Sequence, residues 1–251
     1  MQLQDKVVVI TGSGSGIGEA CAKRFAAEGA KVVVTDVNAA GVERVAAEIG
    51  TVGFTTDITI EENVQALAEF ARSNFGEIDI WFSNAGVNGK SQRGVIPENF
   101  EWNLGWDLHV MSHVYAARAV LPSMLERGDG YLLQTSSVVA FVMQFDKGAY
   151  TASKHAALAL SEWLAATYRP KGVKVSCFCP GAMLTPMLES NGFPPDSPVM
   201  MNAQTPEQVA ERLVRGIEAE KFLILDSDIA MQSLAMKLAD YEGYLERMSQ
   251  T

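Results

Sequence analysis

The architecture of this chain follows from residues 6–28, KVVVITGSGSGIGEACAKRFAAE. The segment from Lys6 to Ile10 is a short β-branched run without polar alternation, which is typical of a strand buried on both faces. A glycine-rich turn, Gly12 to Gly18, comes next, and a helical pattern extends from Glu19 to Glu28. This order predicts a phosphate-binding site, because glycines let the backbone approach a pyrophosphate and the helix N-terminus offers free N–H groups.

The same alternation of strand and helix continues along the chain. Apolar strands are predicted at Lys31–Thr35, Val52–Thr55 and Ile78–Ser83, with helices at Ala40–Ile49 and Glu61–Asn74 between them. Short alternating elements indicate an α/β fold with a doubly wound parallel sheet and helices on both faces. Right-handed crossovers place the loops after all the strands on one edge of the sheet. We therefore expect convergence of the loops at Gly12, Asp36, Asp57, Asn84, Ser137 and Pro180.

Asp36 ends the second strand and bears on the choice of cofactor. A carboxylate about 20 residues after the glycines is placed to accept hydrogen bonds from the hydroxyls of an adenosine ribose, and it would repel a 2′-phosphate. Neither Val37 nor Asn38 is basic, and Ser15 stands where a basic residue would meet that phosphate. The pattern favours NAD over NADP. A role for Asp36 as a helix N-cap is compatible with the position but does not explain its pairing with the glycines.

Tyr150 and Lys154 are four residues apart, and a helix beginning near Ala149 would put them on one face. A free phenol has a pKa of about 10, and a nearby ammonium favours the phenolate. We therefore expect Lys154 to lower the pKa of Tyr150, so that the phenol exchanges protons with an alcohol or carbonyl near neutral pH. Ser137, a loop away, is placed to bind the same oxygen. Taken alone, the pair is more often a half-buried ring beside a solvated charge.

Composition excludes several classes of protein. The net charge of -10 argues against a nucleic-acid partner, which requires a basic face. No window is apolar enough for a membrane span, and the N-terminal segment lacks the features of a signal peptide. Cys21, Cys177 and Cys179 are too few for a disulfide framework and are interpreted as small buried hydrophobic residues. We expect a soluble cytoplasmic protein, and no metal-ligand cluster is visible.

The motifs together resemble the short-chain dehydrogenase/reductase family. They are Thr11-Gly12-x-x-x-Gly16-x-Gly18, Asn84-Ala85-Gly86, Ser137, Tyr150-x-x-x-Lys154 and Pro180-Gly181 with Thr185, and they span about the first three quarters of the chain. The resemblance implies a single Rossmann domain over residues 1–251, with a sheet of about seven strands. It also implies a nicotinamide cofactor and hydride transfer between a secondary alcohol and a ketone.

The resemblance also assigns roles to residues. Tyr150 would be the acid/base, Lys154 would lower its pKa and hold the nicotinamide ribose, and Ser137 would position the substrate oxygen. Asp57 would contact the adenine and Thr185 the carboxamide. The expected cofactor-binding residues are Gly12, Ser15, Gly16, Ile17, Gly18, Asp36, Val37, Asp57, Ile58, Asn84, Ala85, Gly86, Tyr150, Lys154, Pro180, Gly181 and Thr185.

Two features depart from the family pattern. His109 occupies the position in the long helix where the family usually has an asparagine that orders a water in line with the lysine. The histidine either replaces this proton relay as a catalytic residue or is a structural substitution. The second departure is a helix predicted at about 228–248, with Ser227 or Asp228 as N-cap. Its apolar stripe favours packing against its own domain or a partner subunit, and closure of the substrate pocket is the alternative.

The segment at about 183–205 is rich in proline and methionine and is predicted to be a lid over the substrate. The expected substrate-pocket residues are Val139, Met143, Phe145, Met183 and Met187. These side chains favour a small, neutral, hydrophobic alcohol or ketone. The family resemblance and the apolar helix faces predict a homotetramer, a dimer of dimers.

Three functions are compatible with these features. The leading prediction is an NAD-dependent alcohol dehydrogenase or ketone reductase with Tyr150 as acid/base. A dehydratase or epimerase with tightly held NAD is a second, although such relatives are usually longer. The third is a non-catalytic NAD(H)-binding sensor or scaffold, because fold does not determine function.

Overall fold

A computed structural model describes residues 1–92, 94–190 and 192–250 of the chain. Its centre is a parallel seven-stranded sheet with the strand order β3-β2-β1-β4-β5-β6-β7. This is the doubly wound Rossmann arrangement that the alternating pattern predicted. The strands are β1 Val7–Thr11, β2 Lys31–Asp36, β3 Val52–Thr55, β4 Ile80–Ser83, β5 Gly130–Thr135, β6 Val173–Cys179 and β7 Leu223–Leu225.

Helices cover both faces of this sheet. The long ones are α1 Gly16–Ala27, α2 Ala39–Ile49, α3 Glu61–Phe75, α4 Asn99–Trp106, α5 Ser112–Arg127 and α6 Gly148–Tyr168. Next come two four-residue helices, α7 Pro186–Glu189 and α8 Pro198–Met201, and then α9 Pro206–Glu218, α10 Ile229–Ala239 and α11 Tyr241–Ser249. A π-helical turn, Asp107–Met111, joins α4 to α5, and a 3-10 turn, Val138–Ala140, follows β5.

Alternation along the strands supplies a hydrophobic core on each face of the sheet. On β1, Val8 and Ile10 pack with Phe25 of α1 and Leu213 of α9. The intervening Val7 and Val9 face the other way, toward a core that α3, α5 and α6 complete. All five β1 residues are buried. This burial on both faces explains why the strand has no polar alternation.

The C-terminal stretch predicted as one helix is two helices, separated at Asp240. The Asp240 side chain accepts a hydrogen bond from the Gly243 N–H at 2.9 Å and so begins α11 as its N-cap. Asp228 precedes α10 without a capping side-chain hydrogen bond. Several members of the predicted stripe are exposed, including Ile229 and Leu238, whereas Leu234 packs against the core, so of the two expected contacts only a small part is made within the same domain, and packing against a partner subunit stays a prediction.

The segment predicted as a lid contains α7 and α8, each begun by a side-chain cap, from Thr185 and Ser197 respectively. Its ends are paired by a parallel bridge between Met183 and Gln204. Asn191 lies within this prediction but outside the described residues. Within residues 1–92, 94–190 and 192–250, no helix is long and apolar enough to cross a membrane.

Candidate active site

A cavity of about 830 Å³ opens at the carboxyl edge of the sheet, where the strand order reverses between β1 and β4. Every residue expected to bind the cofactor lines it, from the glycine turn and Asp36 to Tyr150, Lys154 and Thr185. The six predicted loops therefore do converge, because parallel strands bring all their carboxyl ends to one edge.

The glycine turn packs closely against the protein's own backbone at the edge of the cavity. Gly12 has a φ of 68°, which favours glycine, and a Cβ there would lie 2.8 Å from the Cα of Ala85. A Cβ on Gly18 would lie 2.2 Å from the carbonyl oxygen of Gly12. Asn84 fixes the neighbouring loop, since its Nδ2 donates to the Thr11 carbonyl at 3.0 Å.

Asp36 is held beside this turn by two backbone N–H groups. Its Oδ2 accepts from the Gly14 N–H at 3.1 Å, and its Oδ1 accepts from the Asn38 N–H at 3.0 Å. The carboxylate is therefore oriented next to the glycines before any ligand arrives. Asn38, rather than Asp36, is the N-cap of α2, so helix capping does not account for Asp36.

Ser137, Tyr150 and Lys154 meet at the other end of the cavity. The Ser137 hydroxyl lies near the Tyr150 phenol and favours its ionised form, which acts to lower the pKa of that phenol. The ammonium of Lys154 is buried, lies 5.8 Å from the centre of the Tyr150 ring and donates to the Thr135 carbonyl at 3.3 Å. The helix α6 presents both side chains on one face, as their four-residue spacing predicted.

The expected lowering of the Tyr150 pKa by Lys154 is not found. Burial raises the pKa of the Tyr150 phenol, and the nearby Ser137 hydroxyl only partly opposes that rise. Burial also lowers the pKa of Lys154 to about 8. Desolvation is thus the largest cause of the pKa shift at both groups.

His109 lies in the π-helical turn, buried behind the cavity, and is not among the described residues that line it. Its Nε2 accepts from the Val87 N–H at 3.1 Å, and its Nδ1 lies 2.9 Å from the Ser153 Oγ. The ring also meets Tyr150 edge-on, with the ring centres 5.7 Å apart. Burial and the charge of Lys154 hold the pKa of His109 well below its ordinary value.

Four of the five residues expected in the substrate pocket, Val139, Met143, Met183 and Met187, line the cavity. The prediction for Phe145 is wrong, because its side chain lines a separate surface cavity with Ile96 and Trp102. The segment turns Phe145 outward before α6 begins, and the sequence pattern gave no sign of that turn. Residues that sequence reasoning missed include Leu104 of α4, Leu108 of the π-helical turn and Gln144.

No cluster of histidine, cysteine or acidic side chains able to hold a metal ion occurs among the described residues. The charged residues among those that line the cavity are Asp36, Asp57 and Lys154. The arrangement is suited to proton exchange at Tyr150, with a hydroxyl and an ammonium beside it.

The family model for the short chain dehydrogenase matches residues 6–193. The chain belongs to the short-chain dehydrogenase/reductase family. It is 41% identical over 196 residues to 1-deoxy-11-beta-hydroxypentalenate dehydrogenase of Streptomyces exfoliatus, which covers 75% of this chain and 71% of that one. It is 35% identical over 195 residues to 7alpha-hydroxysteroid dehydrogenase of Escherichia coli, with 76% of each chain covered.

Among solved structures, a member of the same family from Burkholderia phymatum in complex with NAD superposes with a TM-score of 0.87. The two are 27% identical over 96% of each chain. This short-chain dehydrogenase/reductase therefore shares its fold with a solved member of the family, and its relatives in sequence include dehydrogenases named for hydroxylated substrates. The comparisons support a dehydrogenase or reductase activity.

Proposed function

We propose that this protein is an NAD-dependent alcohol dehydrogenase or ketone reductase that interconverts a secondary alcohol and a ketone. One observation carries the proposal: Ser137, Tyr150 and Lys154 lie in the same cavity as the glycine turn and Asp36. The group able to exchange a proton and the residues able to bind a dinucleotide thus line the same cavity. A protein that only senses NAD(H) would not need a proton-exchanging group beside the cofactor.

The residues present fit a nicotinamide cofactor. Gly12 and Gly18 line the cavity, and a Cβ on either would clash with neighbouring backbone, so the turn beside the cavity requires glycine at both positions. Asp36 would accept hydrogen bonds from the adenosine ribose and would repel a 2′-phosphate, which supports NAD. When bound, the cofactor supplies the hydride acceptor or donor of the reaction.

Tyr150 is the proposed acid/base. Because burial raises the pKa of its phenol, Tyr150 is protonated at neutral pH and is ready to give its proton to a ketone oxygen. Oxidation of an alcohol needs the phenolate and is therefore favoured at alkaline pH. Ser137 would hold the same substrate oxygen, and a charged Lys154 would stabilise the phenolate as it forms.

The proposed substrate is neutral and largely apolar. Around Tyr150 the cavity is walled by aliphatic and methionine side chains from three segments, and Lys154 is the charged residue at this end among the described lining residues. A carboxylate or phosphate away from the reacting carbon would have to be desolvated there without a partner. The names of the relatives agree with an alicyclic hydroxyl or ketone as substrate.

We further propose a homotetramer. Large apolar side chains are exposed on α4 and α6, among them Phe100, Trp106 and Trp163. Exposed aromatic residues on neighbouring helices are typical of protein–protein interfaces. Light scattering coupled to size-exclusion chromatography tests this, and a monomer at micromolar concentration would contradict it.

The deciding experiment measures initial rates of NADH formation, with NAD or NADP, across alicyclic secondary alcohols of increasing size at mildly alkaline pH. The Tyr150→Phe variant should lose about 10²- to 10⁴-fold in kcat, the range for a lost general acid/base. Calorimetry should show that it still binds NAD. Binding of NAD without turnover by the wild type would favour the sensor, and better turnover with NADP would refute the role of Asp36.

A further inference from the structure

The two C-terminal helices contact the segment 141–144, which runs between the 3-10 turn and α6. The hydroxyl of Tyr244, on α11, accepts a hydrogen bond from the Met143 N–H at 2.8 Å. The ammonium of Lys237, on α10, donates to the Phe141 carbonyl at 3.3 Å. Both contacts are to backbone atoms, so they fix the path of this segment rather than a single rotamer.

Tyr244 and Lys237 also contact each other directly. The Lys237 ammonium lies 5.5 Å from the centre of the Tyr244 ring and 5.4 Å from that of Tyr241. A cation at this distance is attracted to an aromatic face. The break at Asp240 makes the arrangement possible, because it turns α11 back so that its first residues meet the end of α10. Tyr244 is buried in consequence, unlike most apolar residues of this region.

The other side of the segment is held by the helix that carries Tyr150. The Gln144 N–H donates to the Thr151 Oγ1 at 3.1 Å, and that hydroxyl lies 3.3 Å from the Gln144 carbonyl. Phe141 is buried in the same apolar cluster as Leu158 of α6. Met143 and Gln144 themselves line the cavity. The segment 141–144 therefore forms a wall of the cavity, and hydrogen bonds attach this wall to α6 on one side and to the C-terminal helices on the other.

We propose that Tyr244 and Lys237 are positioning residues that fix the backbone of this wall and so set the size of substrate that the pocket accepts. The consequence for substrate rests on the function proposed above. Without the Tyr244 hydroxyl, the Met143 N–H loses its partner and the wall is held at its two ends only. A bulky substrate that packs against Met143 loses a fixed surface, whereas a small one that contacts only Tyr150 and Ser137 does not.

The first test needs no substrate. Hydrogen–deuterium exchange of peptides covering 139–147 is compared among the wild type, Tyr244→Phe and Lys237→Met. The matched control is Tyr241→Phe, which removes a hydroxyl from the more exposed ring of the same pair. We expect faster exchange at Met143 in Tyr244→Phe, by about fivefold or more for one lost hydrogen bond, with β1 to β5 and the control unchanged. Unchanged exchange at Met143 would overturn the proposal.

The second test separates positioning from general destabilisation. NADH-dependent reduction of cyclohexanone and of the bicyclic ketone 2-decalone is measured for the same variants. In Tyr244→Phe the KM for 2-decalone should rise about fivefold, because this ketone loses a fixed surface to pack against. The KM for cyclohexanone and the Kd for NADH should be unchanged. Equal changes for both ketones would refute the proposal. If the wild type reduces neither ketone but exchange at Met143 is still faster in Tyr244→Phe, the proposed function fails for these ketones while the anchoring stands.

Discussion

The Nε2 atom of His109 accepts a hydrogen bond of 3.1 Å from the backbone N–H of Val87. A backbone N–H only donates, so Nε2 carries no proton and the neutral ring has its proton on Nδ1. Nδ1 then donates to the Ser153 Oγ at 2.9 Å, and that hydroxyl donates to the Tyr150 carbonyl at 3.0 Å. The histidine thus links the loop after β4 to α6 through both nitrogens. This geometry favours the structural interpretation of His109 over a proton relay.

His109→Ala should therefore destabilise the protein more than it changes the pH dependence. The substitution leaves a buried cavity and unpairs the Val87 N–H, which together cost about 3 kcal/mol in the free energy of unfolding. Because the pKa of His109 is already held well below its ordinary value, its removal should not shift any limb of the rate profile between pH 6 and 9. Urea unfolding and pH–rate profiles measure the two effects.

His155→Ala is the matched control for this variant, since His155 is half-buried on α6 and its Nδ1 contacts only the carbonyl of Thr151 among the described hydrogen bonds. The His155→Ala variant should lower the free energy of unfolding much less than His109→Ala does. A pH–rate limb that disappears in His109→Ala but not in His155→Ala would restore the proton-relay interpretation.

Lys154→Met should gain stability while losing activity. Burial lowers the pKa of Lys154 to about 8, so between that pH and the ordinary value of 10.5 the unfolded chain holds a proton that the folded chain lacks. Stability from this group therefore rises with pH through that window, and the full cost of burying the charge applies below pH 8. Methionine removes a cost of up to about 3 kcal/mol at pH 7.

The gain in Lys154→Met should shrink at pH 10, where the wild-type lysine is neutral when folded. Chemical unfolding at the two pH values measures this difference, with the exposed Lys31→Met as control. An equal gain at both pH values would mean that packing, and not charge, is responsible. A loss of folding stability from burying a charge is typical of functional sites, where activity requires groups that are not optimal for stability.

Much of the fold could be predicted because its signals are local. The β-branched run before Gly12 and its spacing to Asp36 specify strand, turn, helix and strand, and parallel topology then brings the loops together. The π-helical turn around His109 could not be predicted, because a shift from i→i+4 to i→i+5 bonding leaves no mark on composition. The break at Asp240 did have a signal, an aspartate three residues before Gly243, but it was hidden by the apolar periodicity around it.

The parts of the candidate site that were missed depend on contacts between distant segments. Tyr244 and Met143 are 101 residues apart in sequence, and no local sequence pattern around either residue indicates their hydrogen bond. Phe145 belongs to an irregular segment, where no period indicates which way a side chain points. The pKa of Tyr150 was expected to fall because charge pairs are visible in a sequence, whereas burial is a property of the folded chain.

Asp36→Ser should weaken the preference for NAD. The carboxylate is fixed by two backbone N–H groups, so its loss removes a prepared ribose contact and the repulsion of a 2′-phosphate. We expect kcat/KM with NAD to fall about tenfold, and the NAD/NADP ratio to fall about a hundredfold, as for loss of a charged hydrogen bond plus a nearby charge. Steady-state rates with both cofactors measure this.

Asn38→Ala is the control for Asp36→Ser, because it removes the cap of α2 from the same loop without changing its charge. It should lower the rates with both cofactors alike. If Asp36→Ser behaves in the same way, loop integrity rather than the carboxylate accounts for the effect, and the prediction of NAD specificity loses its basis.

Gln204→Ala should loosen the proposed lid at its hinge. The Leu184 N–H donates to the Gln204 carbonyl at 2.9 Å, and the Gln204 side chain contacts both the Asp226 carbonyl, at 3.4 Å, and Arg212, at 3.3 Å. The backbone bridge survives the substitution, but its attachment to β7 and α9 does not. Opening of the segment between the bridged ends becomes easier, so limited chymotrypsin digestion should cleave within 185–203 about fivefold faster, as expected when about 1 kcal/mol of hydrogen bonding is lost.

Gln208→Ala, which removes the capping box of α9 four residues later, is the matched control. Equal cleavage rates in the two variants would show that α9, and not the Gln204 side chain, holds the lid in place.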